Sequence, residues 1–389
     1  MTYDVDALRE REFPWAARGD AIYLNNASTG PLPARTLRAI AEFNALRAEP
    51  YRLTDEHEFG TVRKTRELVA RLINASPAEI ACMVNTTYGI NVAARAIPLC
   101  AGDVVLSYDR EFPANVYPWM ALEQRGVSFQ QIPCDENGLP DEQRLLAALD
   151  QKGVKVVSVS WVQFANGYRT DLAALGRECH ARGIYLVVDA IQGLGAATLD
   201  VRECNVDILA CGGQKWLLSP WGSGFVYVRD ELARTLEPSA VGWMSTRGSD
   251  DFTRLVDYDF TYHDDARRFE VITLPFQAFA GFNASLELLF ELGPEAVARH
   301  VASLVDMAVE WASEHDDVRL LTPAEGARRA GIISIVPHED ARVASERLTR
   351  ARISHSVREG AVRLAPYCYN TVAEMQTALA VMAGEKVAV

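Results

Sequence analysis

Lys215 is the residue whose surroundings most clearly suggest chemistry. It lies in ILACGGQKWLLSPWGSGFVYV, residues 208–228, a mostly apolar segment without any acidic residue. Burying an unpaired ammonium group is costly, so such a lysine either extends to solvent or carries a reactive amine. The runs VDILAC and GFVYV predict two short buried strands, with Lys215 on the loop between them. This segment alone leaves both interpretations open.

A carboxylate and an amide follow another predicted strand. Asp189 ends the strongly apolar run LVVDA, and Gln192 lies three residues further along the chain. An unpaired carboxylate at the end of a buried strand is costly, so Asp189 is expected to have a cationic partner. The alternative is an aspartate that only caps the following segment.

Two more strand ends supply hydroxyl groups and an aromatic ring. In NTTYGIN, Thr86 and Thr87 stand at the predicted start of a helix, where backbone N–H groups and hydroxyls can bind a phosphate or a carboxylate. A plain helix cap is the alternative. In DREFPANVYPW, Phe112 offers a flat apolar surface, although alone it would be a core residue.

The elements that would position these residues alternate between strands and helices from about residue 78 to residue 228. Short apolar runs such as VVLSY and IYLVVDA alternate with helical patterns such as ANVYPWMALEQRG and DLAALGRECHARG. This alternation predicts an α/β architecture, with a parallel or mixed sheet between helices and ligands at the carboxyl ends of its strands. The later runs AGIISIVP and DARVASERLTRARI, and the hairpin pattern SHSVREGAVRLAP, predict a smaller α+β domain.

We predict three parts in the chain: an N-terminal segment over 1–20, a large cofactor-binding domain over 21–270, and a linker helix with a small C-terminal domain over 271–389. The stretch from Leu286 to Glu314 is nearly all helix-forming. It is therefore expected to carry the chain between the two domains.

Bulk properties exclude several classes of protein. A net charge of -13 argues against nucleic-acid binding, and no apolar stretch is long enough for a membrane span. The charged N-terminus does not resemble a signal peptide. The seven cysteines show no CxxC pair, which argues against a structural metal site and suits reduced thiols. A cytoplasmic protein is expected.

The candidate residues form one chemical set. A phosphate site, an aromatic surface, a carboxylate in need of a cation and a lysine on neighbouring strand ends match pyridoxal phosphate, whose Schiff base is formed by a lysine and whose ring nitrogen is partnered by an aspartate. The sequence contains no GxxxxGK[ST] loop, no GxGxxG fingerprint and no Ser/His/Asp arrangement. Pyridoxal phosphate is therefore the predicted cofactor.

The chain resembles the class V aminotransferase family of fold-type-I pyridoxal-phosphate enzymes. That family includes cysteine desulfurases, selenocysteine lyases, kynureninases, isopenicillin-N epimerases and some transaminases. VDAIQG followed by GGQKW carries the resemblance, which extends from YLNNASTGPLP to YNTVAEM. It implies a large domain with a mostly parallel, seven-stranded sheet between helices, followed by a smaller α+β domain.

The resemblance also implies a role for each matching residue. Lys215 would form the Schiff base, Asp189 would partner the ring nitrogen, and Gln192 would donate to the phenolic oxygen. Phe112 would stack over the ring. The residues implied to bind the phosphate are Thr86, Thr87, Gln214 and, from the neighbouring subunit of a homodimer, Thr273.

The substrate would be held by the C-terminal part and the N-terminal segment. Arg363 matches the arginine that clamps the α-carboxylate of the amino acid, and Arg358 is its main competitor for that role. The other residues implied to line the substrate site are Asn25, Asn26 and Gln163.

The sequence differs from that of the desulfurases at positions that bear on the type of reaction. Phe112 occupies the position at which they stack a histidine. Only EGAV separates Arg358 from Arg363, so the loop that carries their persulfide-forming cysteine is missing. Cys368 is expected to be a packed thiol. Desulfuration through an enzyme persulfide is therefore not expected.

We expect an enzyme that acts on a small α-amino acid through a Lys215 aldimine and a quinonoid stabilised by Asp189. An aminotransferase is favoured. A β-eliminating C–S lyase, a kynureninase-like hydrolase and an amino-acid epimerase remain alternatives, because one lysine can act as the base in each. A non-catalytic scaffold of the same fold is the alternative from another class.

Overall fold

The computed structural model describes residues 3–385, which contain thirteen β-strands and thirteen α-helices. The strands are β1 (Ile22–Tyr23), β2 (Ile80–Met83), β3 (Val104–Tyr108), β4 (Ser128–Ile132), β5 (Val154–Ser160), β6 (Tyr185–Asp189), β7 (Ile208–Gly212), β8 (Gly224–Val228), β9 (Val318–Leu320), β10 (Ile333–Pro337), β11 (Ile353–Ser354), β12 (Ser356–Arg358) and β13 (Ala361–Leu364).

The described residues also form thirteen α-helices. They are α1 (Val5–Glu12), α2 (Pro14–Ala17), α3 (Ala34–Ala48), α4 (Asp55–Ile73), α5 (Thr86–Ala96), α6 (Tyr117–Met120), α7 (Glu142–Ala148), α8 (Leu172–Ala181), α9 (Asp230–Thr235), α10 (Phe276–Leu292), α11 (Pro294–Ser313), α12 (Ala341–Arg350) and α13 (Val372–Ala383). Residues 1–2 and 386–389, the ends of the predicted segment 1–20 and of the predicted region 271–389, lie outside the described residues. Among residues 3–385, no helix is both long and apolar enough to span a bilayer.

Seven strands form the main sheet, in the order β2-β8-β7-β6-β5-β3-β4. Strand β8 is antiparallel to both of its neighbours, and all other neighbouring pairs are parallel. The predicted mostly parallel, seven-stranded sheet is therefore confirmed. The carboxyl ends of all strands except β8 meet at one edge, and the register places Asp189 between Ser160 of β5 and Ala210 of β7.

The central strands are apolar throughout because helices cover both faces of the sheet. Successive side chains of a strand point to opposite faces. In β6, Leu186 and Val188 pack into one hydrophobic cluster and Val187 into the other. In β7, Leu209 and Ala210 divide in the same way.

A four-stranded antiparallel sheet, in the order β12-β13-β10-β9, follows the main sheet in the chain. Its β12–β13 pair confirms the predicted hairpin. The two turn residues Glu359 and Gly360 have φ values of 48° and 78°, the left-handed conformation that a two-residue hairpin turn of this kind requires. Strand β1 pairs in parallel with β11 in a separate two-stranded sheet, so the N-terminal chain is joined to the C-terminal part of the chain just before this hairpin.

Two predicted helices differ in the structure. The predicted connecting helix is divided into α10 and α11 by Gly293, which has a φ of 83°, and by Pro294 at the start of α11. The segment ANVYPWMALEQRG contains only the short helix α6, flanked by 3₁₀ turns. Pro118 lies in the first turn of α6, the part of a helix that accommodates proline, so the helix does not extend back to the start of the segment.

Strand β2, which leads to Thr86, is held at the sheet by a buried carboxylate. Glu270 accepts a hydrogen bond from the backbone N–H of Cys82 at 2.7 Å. The same carboxylate binds the guanidinium group of Arg66 on α4 through two nitrogens, at 2.7 to 3.1 Å. Both side chains are largely buried, so loss of one partner leaves the other without compensation.

We therefore expect Glu270→Ala to lower the free energy of unfolding by about 3–5 kcal/mol, since it leaves the Arg66 guanidinium buried and unpaired. Urea titration followed by circular dichroism would measure this change. The matched control is Asp257→Ala, which removes an exposed ion pair with Arg254 and should change the stability by about 1 kcal/mol or less. Equal effects of the two substitutions would contradict the assignment.

Candidate active site

A cleft of about 290 Å³ lies at the carboxyl edge of the main sheet. Its walls come from the segments after β1, β2, β3, β5, β6 and β7 and from the β12–β13 hairpin. The lining residues are Ala27, Ser28, Asn85, Thr86, Thr87, Phe112, Ala114, Phe164, Asp189, Ile191, Gln192, Gln214, Lys215, Arg358 and Arg363. The cleft thus brings together most of the residues singled out in the sequence.

Lys215 stands on the loop between β7 and β8, and its amine points into the cleft. The Nζ atom lies 5.7 Å from the centroid of the Phe112 ring. Burial lowers the pKa of the amine, which Asp189 opposes and the positive charge of Arg363 reinforces. No side chain among residues 3–385 forms an ion pair with Lys215. The neutral, nucleophilic form of this amine is therefore more accessible than that of an exposed lysine.

Asp189 is the last residue of β6 and is only 2% exposed. Its Oδ1 atom accepts a hydrogen bond from the backbone N–H of Ile191 at 3.0 Å. Burial raises the pKa of the carboxyl group, and the nearby carboxylate of Glu111 raises it further. The predicted cationic partner is not found as an ion pair within the described chain. The carboxylate is thus open to a cationic group that enters the cleft.

The start of α5 forms the polar end of the cleft. Asn85, rather than either threonine, caps the helix, since its Oδ1 atom accepts from the backbone N–H of Tyr88 at 2.9 Å. The buried Thr86 hydroxyl accepts from the N–H of Gly212 at 2.8 Å, which ties α5 to the end of β7, and its own hydrogen remains free to donate. Thr87 is exposed at the same helix end, so hydroxyl and backbone donors converge where an anion can bind.

The two glutamines of the cleft differ in how firmly they are held. The buried side chain of Gln192 donates from Nε2 to the carbonyl of Ala27 and accepts from the indole N–H of Trp216, each at 3.0 Å. Its amide is therefore fixed in orientation, with one N–H still free to donate. Gln214 is half-buried and lines the cleft directly before Lys215.

An aromatic wall closes one side of the cleft. Phe112 is 45% exposed rather than a core residue, and its ring packs edge-on against Phe164 with a centroid distance of 5.4 Å. One face of a flat apolar ring is thus presented to the cleft, where a planar ligand could pack against it.

Arg363 is a buried guanidinium group in the wall opposite the sheet. Its Nε, Nη1 and Nη2 atoms donate to Ser356 Oγ at 3.0 Å, to the Phe164 carbonyl at 2.6 Å and to Ser28 Oγ at 2.9 Å. All three acceptors are uncharged, and the described chain supplies no carboxylate to the group. Burial and the positive charge of Arg358 lower the pKa of Arg363 to about 10. This site is built for an anionic ligand.

Three predicted substrate contacts lie one layer behind the wall. Asn25 accepts from the Ser28 hydroxyl at 2.7 Å, and Asn26 donates to the Lys215 carbonyl at 3.3 Å. Gln163 donates to Glu111 at 2.8 Å. None of the three lines the cleft, because their amides are turned toward the protein. In this structure they position groups of the wall instead of forming it.

Thr273 lies outside the cleft of its own chain. It is exposed, and its hydroxyl accepts from the indole N–H of Trp243 at 3.3 Å. Its role toward a neighbouring subunit stays a prediction.

Ser28 and Glu111 are the residues that sequence reasoning missed. Ser28 is the hydroxyl between Arg363 and Asn25, and Glu111 is a buried carboxyl group that binds Ser160 and Gln163. The sequence contained only weak indications of these two residues. Ser28 is a small polar residue within NNASTG, and Glu111 is an acidic residue beside the aromatic ring in REFP.

None of the seven cysteines lines the cleft. Cys368, the cysteine nearest to Arg363 in the sequence, is fully buried, and burial raises the pKa of its thiol. The prediction of a packed thiol at this position is confirmed.

The sequence is similar to proteins of one family. The sequence profile of the family described as "Aminotransferase class-V" matches residues 22–377. A "Probable cysteine desulfurase" of Methanothermobacter thermautotrophicus is 30% identical over 84% of this chain and 82% of its own. An "Uncharacterized aminotransferase" of Bacillus subtilis is 32% identical over 81% of each chain.

A solved structure has the same fold. A lysine-to-alanine variant of the cystine C–S lyase C-DES, with glycine covalently linked to its pyridoxal phosphate cofactor, matches with a TM-score of 0.88. The two chains are 22% identical, and the match covers 99% of this chain and 100% of the other.

The loop that carries Lys215 depends on a close approach by Gly30. The N–H of Gly30 donates to the Gln214 carbonyl at 2.8 Å, and a Cβ atom at position 30 would lie 2.1 Å from the Lys215 carbonyl oxygen. Gly30→Ala should therefore displace the lysine and weaken the binding of pyridoxal phosphate by at least about tenfold, roughly 1.4 kcal/mol. Absorbance titration of the apoprotein would measure this.

Gly326→Ala is the matched control, because its added methyl group would meet only the end of the Arg329 side chain, at 3.8 Å. It should bind the cofactor like the wild type. Wild-type cofactor binding by Gly30→Ala would show that the contact at Gly30 does not position the lysine.

Proposed function

Because the chain belongs to the class V aminotransferase family, we propose that it is a pyridoxal-phosphate enzyme that transfers the amino group of a small α-amino acid. One observation carries this proposal. Asp189, at the end of β6, and Lys215, on the loop after the adjacent parallel strand β7, both reach one cleft, and neither has an ion-pair partner in the described chain. A scaffold would have no use for two such costly groups in one cleft.

The residues of the cleft fit the cofactor. When bound, pyridoxal phosphate supplies a ring that stabilises negative charge at the α-carbon of the amino acid. The unpaired Asp189 carboxylate suits a protonated ring nitrogen, and the free amine of Lys215 suits the aldehyde. Gln192 has one N–H left for the phenolic oxygen. The phosphate would be held at the start of α5 by Thr86, Thr87 and Gln214, and the ring would face Phe112.

The α-carboxylate of the substrate would bind to Arg363. This guanidinium has three uncharged acceptors and lines the same cleft as Lys215. Paired hydrogen bonds from a guanidinium orient a carboxylate. The amino acid would thus be held with its α-carbon near the lysine amine, as proton transfer requires.

The acid–base groups favour transamination over epimerisation. Lys215 is the one amine that lines the cleft in the described structure, and arginine does not act as a base because it stays protonated. A single amine suffices to remove the α-proton and return a proton to a neighbouring carbon. Inversion at the α-carbon is served best by a second acid–base group on the opposite side, and the described lining offers none.

A β-eliminating C–S lyase is the second candidate, supported by relatives whose names are those of desulfurases. A leaving thiolate would have to depart into solution, since no cysteine lines the cleft to accept its sulfur. Product analysis distinguishes the two. Transamination consumes an added α-keto acid and forms a new amino acid, whereas elimination releases ammonia and sulfide without one.

A homodimer is part of the proposal. Large apolar side chains are exposed in the segment before Thr273, among them Trp243, Val256, Tyr258 and Phe260. Exposed apolar patches of this kind mark protein contacts, and a second copy of the chain would cover them. Sedimentation equilibrium would test this.

Lys215→Ala should abolish turnover and the visible absorbance band that borohydride bleaches in the loaded wild type, because no other amine of residues 3–385 lines the cleft. The circular dichroism spectrum should be unchanged. Lys152→Ala, which changes an exposed lysine, is the control and should behave like the wild type. Retained activity in Lys215→Ala would refute the proposed function.

Asp189→Asn should still bind the cofactor but lower kcat by at least about 100-fold, roughly 2.7 kcal/mol in the barrier. A neutral amide cannot keep the ring nitrogen protonated, so charge at the α-carbon is poorly stabilised. Steady-state kinetics would measure the loss, with the exposed Asp316→Asn as control. Near-normal rates would mean that Asp189 only caps the segment after β6.

A further inference from the structure

Two guanidinium groups reach the cleft from one face of the β12–β13 hairpin. The register pairs Ser356 with Arg363 and Arg358 with Ala361. Because alternate residues of a strand share a face, Arg358 lies on the face of Ser356 and is therefore a diagonal neighbour of Arg363. Both line the cleft. Two like charges so placed repel each other unless an anion lies between or beside them.

Neither arginine is neutralised by a carboxylate of the described residues. Within residues 3–385 no carboxylate forms an ion pair with either one. A guanidinium has five N–H donors. Arg363 uses three of them, which leaves two, and Arg358 uses one, toward the Val357 carbonyl at 2.8 Å, which leaves four. The cleft therefore has more free cationic donors than one carboxylate can use.

The other charges of the cleft do not account for Arg358. Its ionisable lining groups are Lys215, Arg358, Arg363 and a single acid, Asp189. Asp189 sits at the end of β6 and is assigned to the ring nitrogen. The start of α5 is assigned to the phosphate. Arg358 is thus left without an anion once the cofactor and one α-carboxylate are bound.

The two arginines also differ in depth. Arg363 is 2% exposed, whereas Arg358 is half-buried at the tip of the hairpin, next to the exposed turn. The deeper group is placed for the α-carboxylate, near the lysine. The outer group is placed for the end of a side chain that points toward the mouth of the cleft.

We propose that the substrate is an amino acid with a second carboxylate, with Arg363 binding the α-carboxylate and Arg358 the second one. This inference rests on the proposed function, because that function places an amino acid in the cleft. It narrows the substrate class from small amino acids in general to amino acids with two carboxylates.

The test measures binding to the holoenzyme by calorimetry and by absorbance titration, with L-alanine, L-aspartate and L-glutamate as probes. The wild type should bind one of the two diacids at least about tenfold more tightly than L-alanine. In Arg358→Ala that preference should fall to within about twofold, whereas Arg363→Ala should weaken binding of all three. Arg358→Lys should restore part of the preference, because it returns the charge without the planar donor pair.

Amine-free ligands separate this inference from the proposed function. Glutarate and butyrate cannot react with a cofactor, yet glutarate carries the second carboxylate. Calorimetry should show that the wild type prefers glutarate and that Arg358→Ala does not. If this preference is found while no amino acid reacts, the proposed function fails and the dicarboxylate site stands. The exposed Arg342→Ala is the control for nonspecific loss of positive charge.

Three outcomes would overturn the inference. The wild type could bind L-alanine as tightly as both diacids, Arg358→Ala could weaken L-alanine and the diacids by the same factor, or Arg358→Ala could release the cofactor without changing the ligand preference. The second result would place the α-carboxylate at Arg358, and the third would place the phosphate there.

Discussion

Two ionisable groups of opposite charge, the half-buried Lys215 and the buried Asp189, lie at the carboxyl edge of the main sheet without forming an ion pair. Each is costly in an apolar surrounding, so their positions have to be enforced by the rest of the fold. Asp189 is held because β6 lies between two parallel strands in the interior of the sheet. Lys215 is held because Gly30 and Asn26 of the N-terminal chain donate hydrogen bonds to the backbone of its loop.

The cleft is lined by residues from two sheets, which contribute different kinds of binding group. The main sheet presents the amine, the carboxylate and the start of α5, which are the groups that suit the cofactor. The hairpin of the C-terminal sheet presents both arginines, which suit the substrate. Ser28 joins these halves: it accepts a hydrogen bond from Arg363 and lies on the same N-terminal chain that holds the lysine loop. Only one residue in the chain therefore separates the serine that binds Arg363 from Gly30, which contacts the lysine loop.

Much of this arrangement could be predicted from the sequence, and the failures have physical reasons. Strands such as β6 and β7 are predictable because burial on both faces makes them apolar throughout, and the residue that ends such a strand must lie at the edge of the sheet. The division between α10 and α11 could also have been predicted, because Gly293 and Pro294 are residues that commonly end one helix and begin the next. The orientation of Asn25 and Asn26 could not be predicted, because the sequence places them near the site but does not show which side of the wall their amides face. Glu111 was missed because its partners are distant in the chain.

The pairing of β1 with β11, and the hydrogen bond from the Tyr369 hydroxyl to Asn26, join the first tenth of the polypeptide to its last tenth. Asn26 also donates to the Lys215 carbonyl, so this junction supports the lysine loop. The ribosome releases these two ends at very different times. While the C-terminal hairpin is still inside the exit tunnel, β1 has no strand beside it and the lysine loop lacks Tyr369 behind Asn26. A nascent chain can therefore form much of its main sheet early, but its cleft is completed only after translation ends. Synthesis thus sets a natural order, in which the sheet comes first and the capacity to bind a substrate comes last.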